Sequence, residues 1–450
     1  MAENVNGTIT CGVPWWLHPI PIFVGLNGVT GVASYLAAPS TYLELWRTPK
    51  YVTVFTLLFI LAALMVFSGG AWVAIANNKG VSSNSEWTGT VSLRRALLLF
   101  NISFWVCIMA YASWAGIGIW RGLGWSFLKS VFSSEDAYTN VYSIRTYLAT
   151  IPGITTLTQL GIPAVILGSL IGAGAGWKAV RGKLGILFIL AILRAAIYSE
   201  RLAFLELIIP FMVLRFTDPD SFVHKVGWRK LIRFAPLLAI AGVYLVFTGF
   251  ETVRSWSIYY SSRESSLWLF GFWRLVGYYV TAFNNSAFVL STLHHSLRAP
   301  YQTLNFLWEF PVLNTYVKEI FNWVHLDYDG YMNLLAIGAN PEFNNWGGLL
   351  SPVIDFGVLG ALVYWAVMGL ITGQLYSFYL RKHPLGLCLY PVVYVALSEV
   401  PRYLYLGEGR AFPALAYLLV SVLALLQSAT RYPSLSIHPF RPNWMHEPTS

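Results

Sequence analysis

Four short stretches of this chain hold residues whose types and spacing suit chemistry. In the run LGILFILAILRAAIYSERLAFLELIIPFMVLRF, Arg194 and Arg201 lie seven residues apart, with Glu200 beside the second. Two helical turns would put both arginines on one face if a helix continued between them. Guanidinium groups bind phosphate oxygens bidentately and keep their charge, so the pair reads as a clamp for a diphosphate. The competing reading is an ion pair with Glu200 plus snorkelling to a membrane interface. Arg274 and Tyr278 are spaced i, i+4 in FWRLVGYYVTAFNN, which suits either phosphate and sugar binding or a helix lying on a bilayer. His294 and His295 are adjacent and would face different ways on a helix. They read as phosphate donors or proton-transfer groups, or as a plain polar pair. Arg254 and Arg298 flank these two stretches. Glu399, Arg402, Glu408 and Arg410 crowd LSEVPRYLYLGEGRAF, as half of a site or as a salt-bridged loop.

Other matches carry less. Asp327 and Asp329 lack the remaining ligands of a calcium loop. Asp355-Phe356-Gly357 matches the kinase triplet by letters, but no glycine-rich or catalytic loop accompanies it. Asn6, Asn101 and Asn284 open chance-level glycosylation triplets. Cys11, Cys107 and Cys388 are scattered, so neither a disulfide framework nor a metal cluster is expected.

These residues must be positioned by membrane helices. The chain has 450 residues, 56% hydrophobic and only 11% charged, against about 25% charged in soluble domains. Its mean hydropathy is +0.58. Few charges remain to cover a soluble surface, and a multi-span membrane protein is the class that fits. Many of the 19 Trp residues sit near span ends, where an amphipathic ring suits the interface. The net charge of +9 is placed in short loops, as the positive-inside rule requires, so nucleic acid is not an expected partner. The start has no basic region of the signal-peptide kind.

Hydropathy length predicts about ten spans. They are Trp15 to Ala38, with Pro19 and Pro21 bending its start; Val52 to Ala76; Ala96 to Trp120; Ile151 to Gly176; a hairpin of Leu184 to Ile197 and Leu202 to Leu214; Leu231 to Phe250; Pro352 to Tyr379; Leu385 to Val400; and Ala411 to Leu426. Gly168, Gly172 and Gly176 bare one helix face and are expected to allow close packing. Three basic loops, Lys178 to Lys183, Lys225 to Arg233, and Arg381 with Lys382, share a side if the short spans form a hairpin. That side and both termini are then cytoplasmic. The expected organisation is an N-terminal membrane block over 1–250, an extracytoplasmic helical cap over 251–350, a C-terminal membrane block over 351–430 and a loosely ordered tail over 431–450. The turn at Arg194 to Arg201, the cap, and Glu399 to Arg410 would all face outward.

Several of these stretches together resemble a known family. NNWGGLLSPVIDFGVLGALVYWAVMGLITGQLY, with Asp355, Phe356, Gly357, Gly360 and Gly369, resembles the bacterial oligosaccharide repeat-unit polymerases, the Wzy-type O-antigen polymerases. HPIPIFVGLNGVTGVASYLAA is similar to that family's proline-bearing first span. IYSERLAFLEL is similar to its arginine-centred hairpin, which places Arg201 at the family's arginine. RLVGYYVTAFNN resembles its Arg/Tyr cap helix and carries that role to Arg274 and Tyr278. The resemblance implies an all-α polytopic membrane protein with a GT-C-like bundle in the bacterial inner membrane, working on its periplasmic side. It implies a glycosyltransferase without metal or cofactor, moving a growing glycan from undecaprenyl diphosphate to the terminal sugar of a lipid-linked repeat unit. Membrane lipid and a chain-length regulator are the further partners implied. The leaving diphosphate then falls to Arg201, Arg194 and Arg274, with Arg402 and Arg410 in reserve. The base is Glu399, Glu408 or His295. Tyr278, Arg254, His294 and Arg298 would contact substrate. The rivals are an O-antigen ligase, against which His295-Ser296-Leu297-Arg298 lacks a close glycine, and a flippase or transporter, which would show repeated halves. A scaffold without catalysis is a third.

Overall fold

A computed structural model describes residues 13–79, 91–124, 146–198, 202–218, 221, 228, 231–232, 234–252, 255–256, 260–261, 266–293, 296–310, 313–321, 328–427 and 434–435. The described residues are helical apart from turns, loops and one two-residue antiparallel pairing of Val91–Ser92 with Ser434–Leu435. Among the described residues, five stretches are long and apolar enough to cross a membrane: Pro19–Leu36, Val54–Asn78, Leu93–Trp120, Ile154–Ala175 and Ser351–Leu380. Three shorter apolar helices, Ala235–Glu251, Pro384–Glu399 and Phe412–Leu426, accompany them. Large apolar side chains such as Val54, Phe55, Leu58, Met65 and Trp72 point outward from the second of these. A surface that apolar suits lipid and not water. The chain is thus an all-α protein with membrane-embedded helices.

Helix starts follow local chemistry. A 3-10 turn, Trp15–Leu17, precedes α1 (Pro19–Leu36), and His18 caps it by accepting from the Ile20 N–H at 3.3 Å. Pro19 therefore opens the helix at a position where no N–H is needed, rather than bending a span already under way. α2 (Pro39–Trp46) turns the chain, and α3 (Val54–Lys79) and α4 (Leu93–Trp120) follow. A short α5 (Ile154–Leu157) and a 3-10 turn lead into α6 (Gly161–Ala175). This stretch is the most enclosed of the candidate spans, with 72% of its apolar window buried.

The glycine face of α6 is a packing surface. A Cβ on Gly168 would lie 2.9 Å from both Leu184 and Phe100, and one on Gly172 would lie 2.8 Å from Trp177. Gly176 differs: it has open space and a φ of +98°, where glycine reverses the chain.

α7 (Arg181–Tyr198) and α8 (Leu202–Arg215) form the antiparallel hairpin expected from the sequence. α9 (Ala235–Glu251) is peripheral, with Leu237, Leu238, Ile240 and Leu245 exposed. α10 (Leu267–Thr292) lies within the interval expected to form the cap. It packs on α1, α2 and α9. Its Asn284-Asn285-Ser286 triplet is buried and grips two loops: Asn284 bonds the Pro49 carbonyl and Tyr51 N–H, while Asn285 and Ser286 bond carbonyls from Phe343 to Gly347. A side chain so enclosed is not open to a glycan. α11 (Asn305–Glu309), α12 (Leu313–Phe321) and α13 (Tyr328–Gly338) complete the interval.

α14 (Ser351–Leu380) runs parallel to α3 at backbone contact distance, because Gly70, Gly369 and Gly373 leave no side chain between them. A Cβ on Gly373 would sit 2.5 Å from the Ala71 carbonyl oxygen. Such small-residue contacts are how helices approach within lipid. The pair is closed at its far end by Asn78 donating to Gln374 at 2.7 Å and by Arg381 bonding the Asn78 carbonyl. α15 (Pro384–Glu399) and α16 (Phe412–Leu426) end the bundle.

Candidate functional site

Helix directions sort the charges onto two ends. The C-termini of α7 and α15 and the N-termini of α8, α14 and α16 meet at one end. Lys178, Arg181 and Lys183, and Arg381 with Lys382, lie at the other. The junction between α15 and α16, residues 400–411, carries the densest set of ionisable groups at the first end.

Four elements meet there. Glu206, from the first turns of α8, is 2% exposed at its side chain. Arg410 grips it with both ends of its fork: Nε lies 2.7 Å from Oε1, and Nη2 donates to Oε2 at 3.0 Å. Tyr405 adds a hydrogen bond to the same carboxylate, and burial lifts its hydroxyl well above the ordinary value, so it keeps its proton. From α7, Arg194 reaches the other side of this cluster. Its Nη1 donates to Thr158 Oγ1 at 2.7 Å, and its guanidinium lies 5.6 Å from the Trp114 ring centre. Arg194 and Glu206 share the wall of a small cavity, with Cys107, Tyr111 and Gln159.

A second ion pair caps the end of α15. Arg402 donates to Glu399 at 2.9 Å and lies against Tyr403. Tyr403 feels Glu399, Arg402, Arg410 and Glu206 together, so it stands between the two pairs. Arg402 also lies within electrostatic reach of Tyr278 and Tyr279 on α10. Burial pushes the Glu408 carboxyl up to about 7; the charge of Glu309 on α11 adds to the effect and Arg410 opposes it. Burial raises Glu309 as well. A carboxyl near 7 can exchange a proton at neutral pH.

Arg274 is placed differently. It is buried on α10, with Nε 3.0 Å from Glu251 and Nη1 2.6 Å from Glu342. Burial would raise Glu342, but the hydrogen bond and charge of Arg274 prevail and hold it below its ordinary value. Tyr260 bonds the same Glu342 at 3.2 Å. Two carboxylates on one guanidinium leave little charge for an incoming anion.

The structure thus gathers Arg194, Glu399, Arg402, Glu408 and Arg410 at one junction. Tyr278 and Arg274 lie beside it on α10, and exposed Arg298 sits in the loop after α10 with a φ of +55°. Arg201, Arg254, His294 and His295 lie outside the described residues, as do Glu200 and Asp327. The shared face proposed for Arg194 and Arg201 requires an unbroken helix through residues 199–201, which lie outside the described residues.

No protein-family model matches the chain, and no curated protein or solved structure matches it either. The site is therefore read from its own geometry. Among the described residues, no three His, Cys, Asp or Glu side chains are grouped as metal ligands would be.

Two residues of this end have roles that the sequence reading did not give them. Glu206 is the acid that joins Arg410 to the Arg194 cavity; its only sequence signal is a lone charge inside LAFLELIIPF. Asp355 is fully buried at the start of α14. It accepts hydrogen bonds from the backbone N–H groups of Gln302 and Thr303 at 2.9 and 2.7 Å and from the Thr303 hydroxyl at 2.8 Å. The letters Asp-Phe-Gly thus have a local meaning. Asp355 ties down a loop, and Gly357 kinks the helix with φ +72° and ψ −179°, a conformation glycine adopts cheaply.

Proposed function

We propose that this chain is a membrane glycosyltransferase of the repeat-unit polymerase kind. It would transfer a growing glycan from a polyprenyl diphosphate to the terminal sugar of a second lipid-linked unit. The observation that carries the reading is the junction itself. Arg410, from a distant part of the chain, is held on Glu206, and Arg194 lines the same small cavity as Glu206, with Glu408 two residues from Arg410 and able to exchange a proton near neutral pH.

The roles follow from the bonds that change. The acceptor hydroxyl oxygen attacks the anomeric carbon, and the bond from that carbon to the diphosphate oxygen breaks. The hydroxyl proton passes to the Glu408 carboxylate. The departing diphosphate gains negative charge, which Arg410 and Arg194 stabilise, with Arg402 next to them. Glu206 holds the Arg410 fork in place. Arg274, already neutralised, braces α10. The basic end, with Lys183 and Arg381, faces the cytoplasm under the positive-inside rule, which puts the junction on the periplasmic side of an inner membrane.

Purified protein in lipid discs, given a defined polyprenyl-diphosphate-linked repeat unit, should build a ladder of longer lipid-linked products. A ladder that persists in a chelator is expected, since guanidinium groups carry the leaving-group charge. Transfer only to a lipid A core would make the chain a ligase, and translocation without elongation would make it a flippase. Either result contradicts the proposal.

A further inference from the structure

We propose that Asp355 is a positioning residue: by fixing the segment from Gln302 to Glu309 it sets the surroundings of the Glu408 carboxyl. The inference deepens the function proposed above and rests on it only for the role of Glu408.

The chain of contacts is continuous. Asp355 is 0% exposed and receives three hydrogen bonds, all from neutral donors of Gln302 and Thr303. A buried carboxylate satisfied by donors aimed at both oxygens is held in one place, and so are its donors. The carbonyls of the same two residues then form the floor under Gly407: a Cβ there would lie 2.6 Å from the Thr303 oxygen and 3.0 Å from that of Gln302. Two further contacts fasten the segment to the junction. Phe306 stacks on Phe412 with ring centres 4.2 Å apart and an 11° interplanar angle. Glu309 Oε2 comes within 3.8 Å of the place a Cβ would take on Gly409. Gly407 and Gly409 bracket Glu408, so the residue is held from both sides by a segment whose anchor is Asp355.

Charge makes the placement matter. Among the described residues, the ionisable groups around the junction are Glu309 from α11, Glu206 from α8, Arg194 from α7, Glu399 and Arg402 from the end of α15, and Tyr403, Tyr405 and Arg410 on the loop itself. Of these, Glu309 works to keep the Glu408 proton on and Arg410 to remove it. Glu309 is in place only while the anchored segment is. Releasing the segment would admit water and remove the like charge, and both changes lower the Glu408 midpoint.

The test uses the full chain in lipid discs. Asp355→Asn turns one acceptor oxygen into an NH2 group that faces the donors of Gln302 and Thr303. Amide hydrogen exchange should accelerate by about tenfold or more across both 302–309 and 405–410, while α1 and α3 keep their protection. In parallel, isotope-edited infrared titration follows the carboxyl band that Glu408→Gln removes. Its midpoint should fall from near 7 toward the ordinary carboxylate range in Asp355→Asn. If Asp355→Asn does not fold, Thr303→Val removes one bond and should move both readouts the same way by a smaller step. Faster exchange confined to 302–309, or an unmoved Glu408 midpoint, overturns the proposal. Neither readout requires turnover, so a protein that fails to elongate glycan would refute the polymerase reading and leave the role of Asp355 to be decided on its own.

Discussion

Arg274 and Arg410 are both held by glutamate, and the difference between them separates a brace from a working group. Arg274 is nearly enclosed and shared by Glu251 and Glu342. Arg410 is paired with Glu206, remains 20% exposed at its side chain, and sits next to a carboxyl that titrates near neutral pH. A guanidinium enclosed among acids stabilises a fold. One that stays partly exposed beside a titratable carboxyl can meet an anion. Charge at membrane depth is costly, so each arrangement needs a reason, and the reasons differ.

The largest effect that would sharpen this contrast is at the brace. Arg274→Ala leaves two carboxylates without their cation, one of them buried. It should cost about 3–5 kcal/mol, read as a marked fall in the melting temperature of the protein in detergent. An unchanged melting temperature would mean that Arg274 is not structural. Next comes the junction. Arg410→Lys keeps a positive charge but loses the fork, and elongation should fall by roughly 10²-fold with little change in melting temperature. If lysine supports full activity, bidentate geometry is irrelevant there.

The pH dependence gives a smaller, signed effect. Glu408 acts as acceptor only when deprotonated, and its midpoint is about 7. Elongation should therefore climb as pH rises through about 7 and level off above it. In Glu309→Gln, which removes the like charge, the climb should shift to lower pH. A shift to higher pH would reverse the sign of the Glu309–Glu408 interaction. The smallest effect is at Gly357. Gly357→Ala puts a Cβ on a residue at φ +72° and should cost about 1–2 kcal/mol in stability.

Much of the bundle was legible because it rests on composition and length. Apolar runs long enough to span a bilayer became helices, and the run from Leu184 to Leu214 lies in two helices, α7 and α8, that pack on each other. Gly168 and Gly172 packed as their spacing implied. The prolines of the first span were misjudged as a bend, because whether proline kinks or starts a helix depends on where the preceding turn ends. The site was half legible. The Glu399 to Arg410 cluster is dense enough to see in one line of sequence. Glu206 was not visible as a site residue, since its partner Arg410 lies 204 positions away. Asp355 entered only as a letter of the kinase triplet and of the family motif, with no role of its own, for the same reason: its donors are 52 and 53 positions upstream. Asn284-Asn285-Ser286 likewise read as a chance-level glycosylation match, and only tertiary packing reveals that it ties loops together. Local patterns announce elements, while pairing across the chain is decided by the fold.

The most direct measurement is an experimental structure of the protein with a bound polyprenyl diphosphate. Phosphate density is expected at the junction, within hydrogen-bond distance of Arg410 or Arg194 and on the same side as Glu408, with Arg274 still held by Glu251 and Glu342. Phosphates bound at the opposite end, against Lys183 or Arg381, would contradict the assignment of the junction as the place where glycan is transferred.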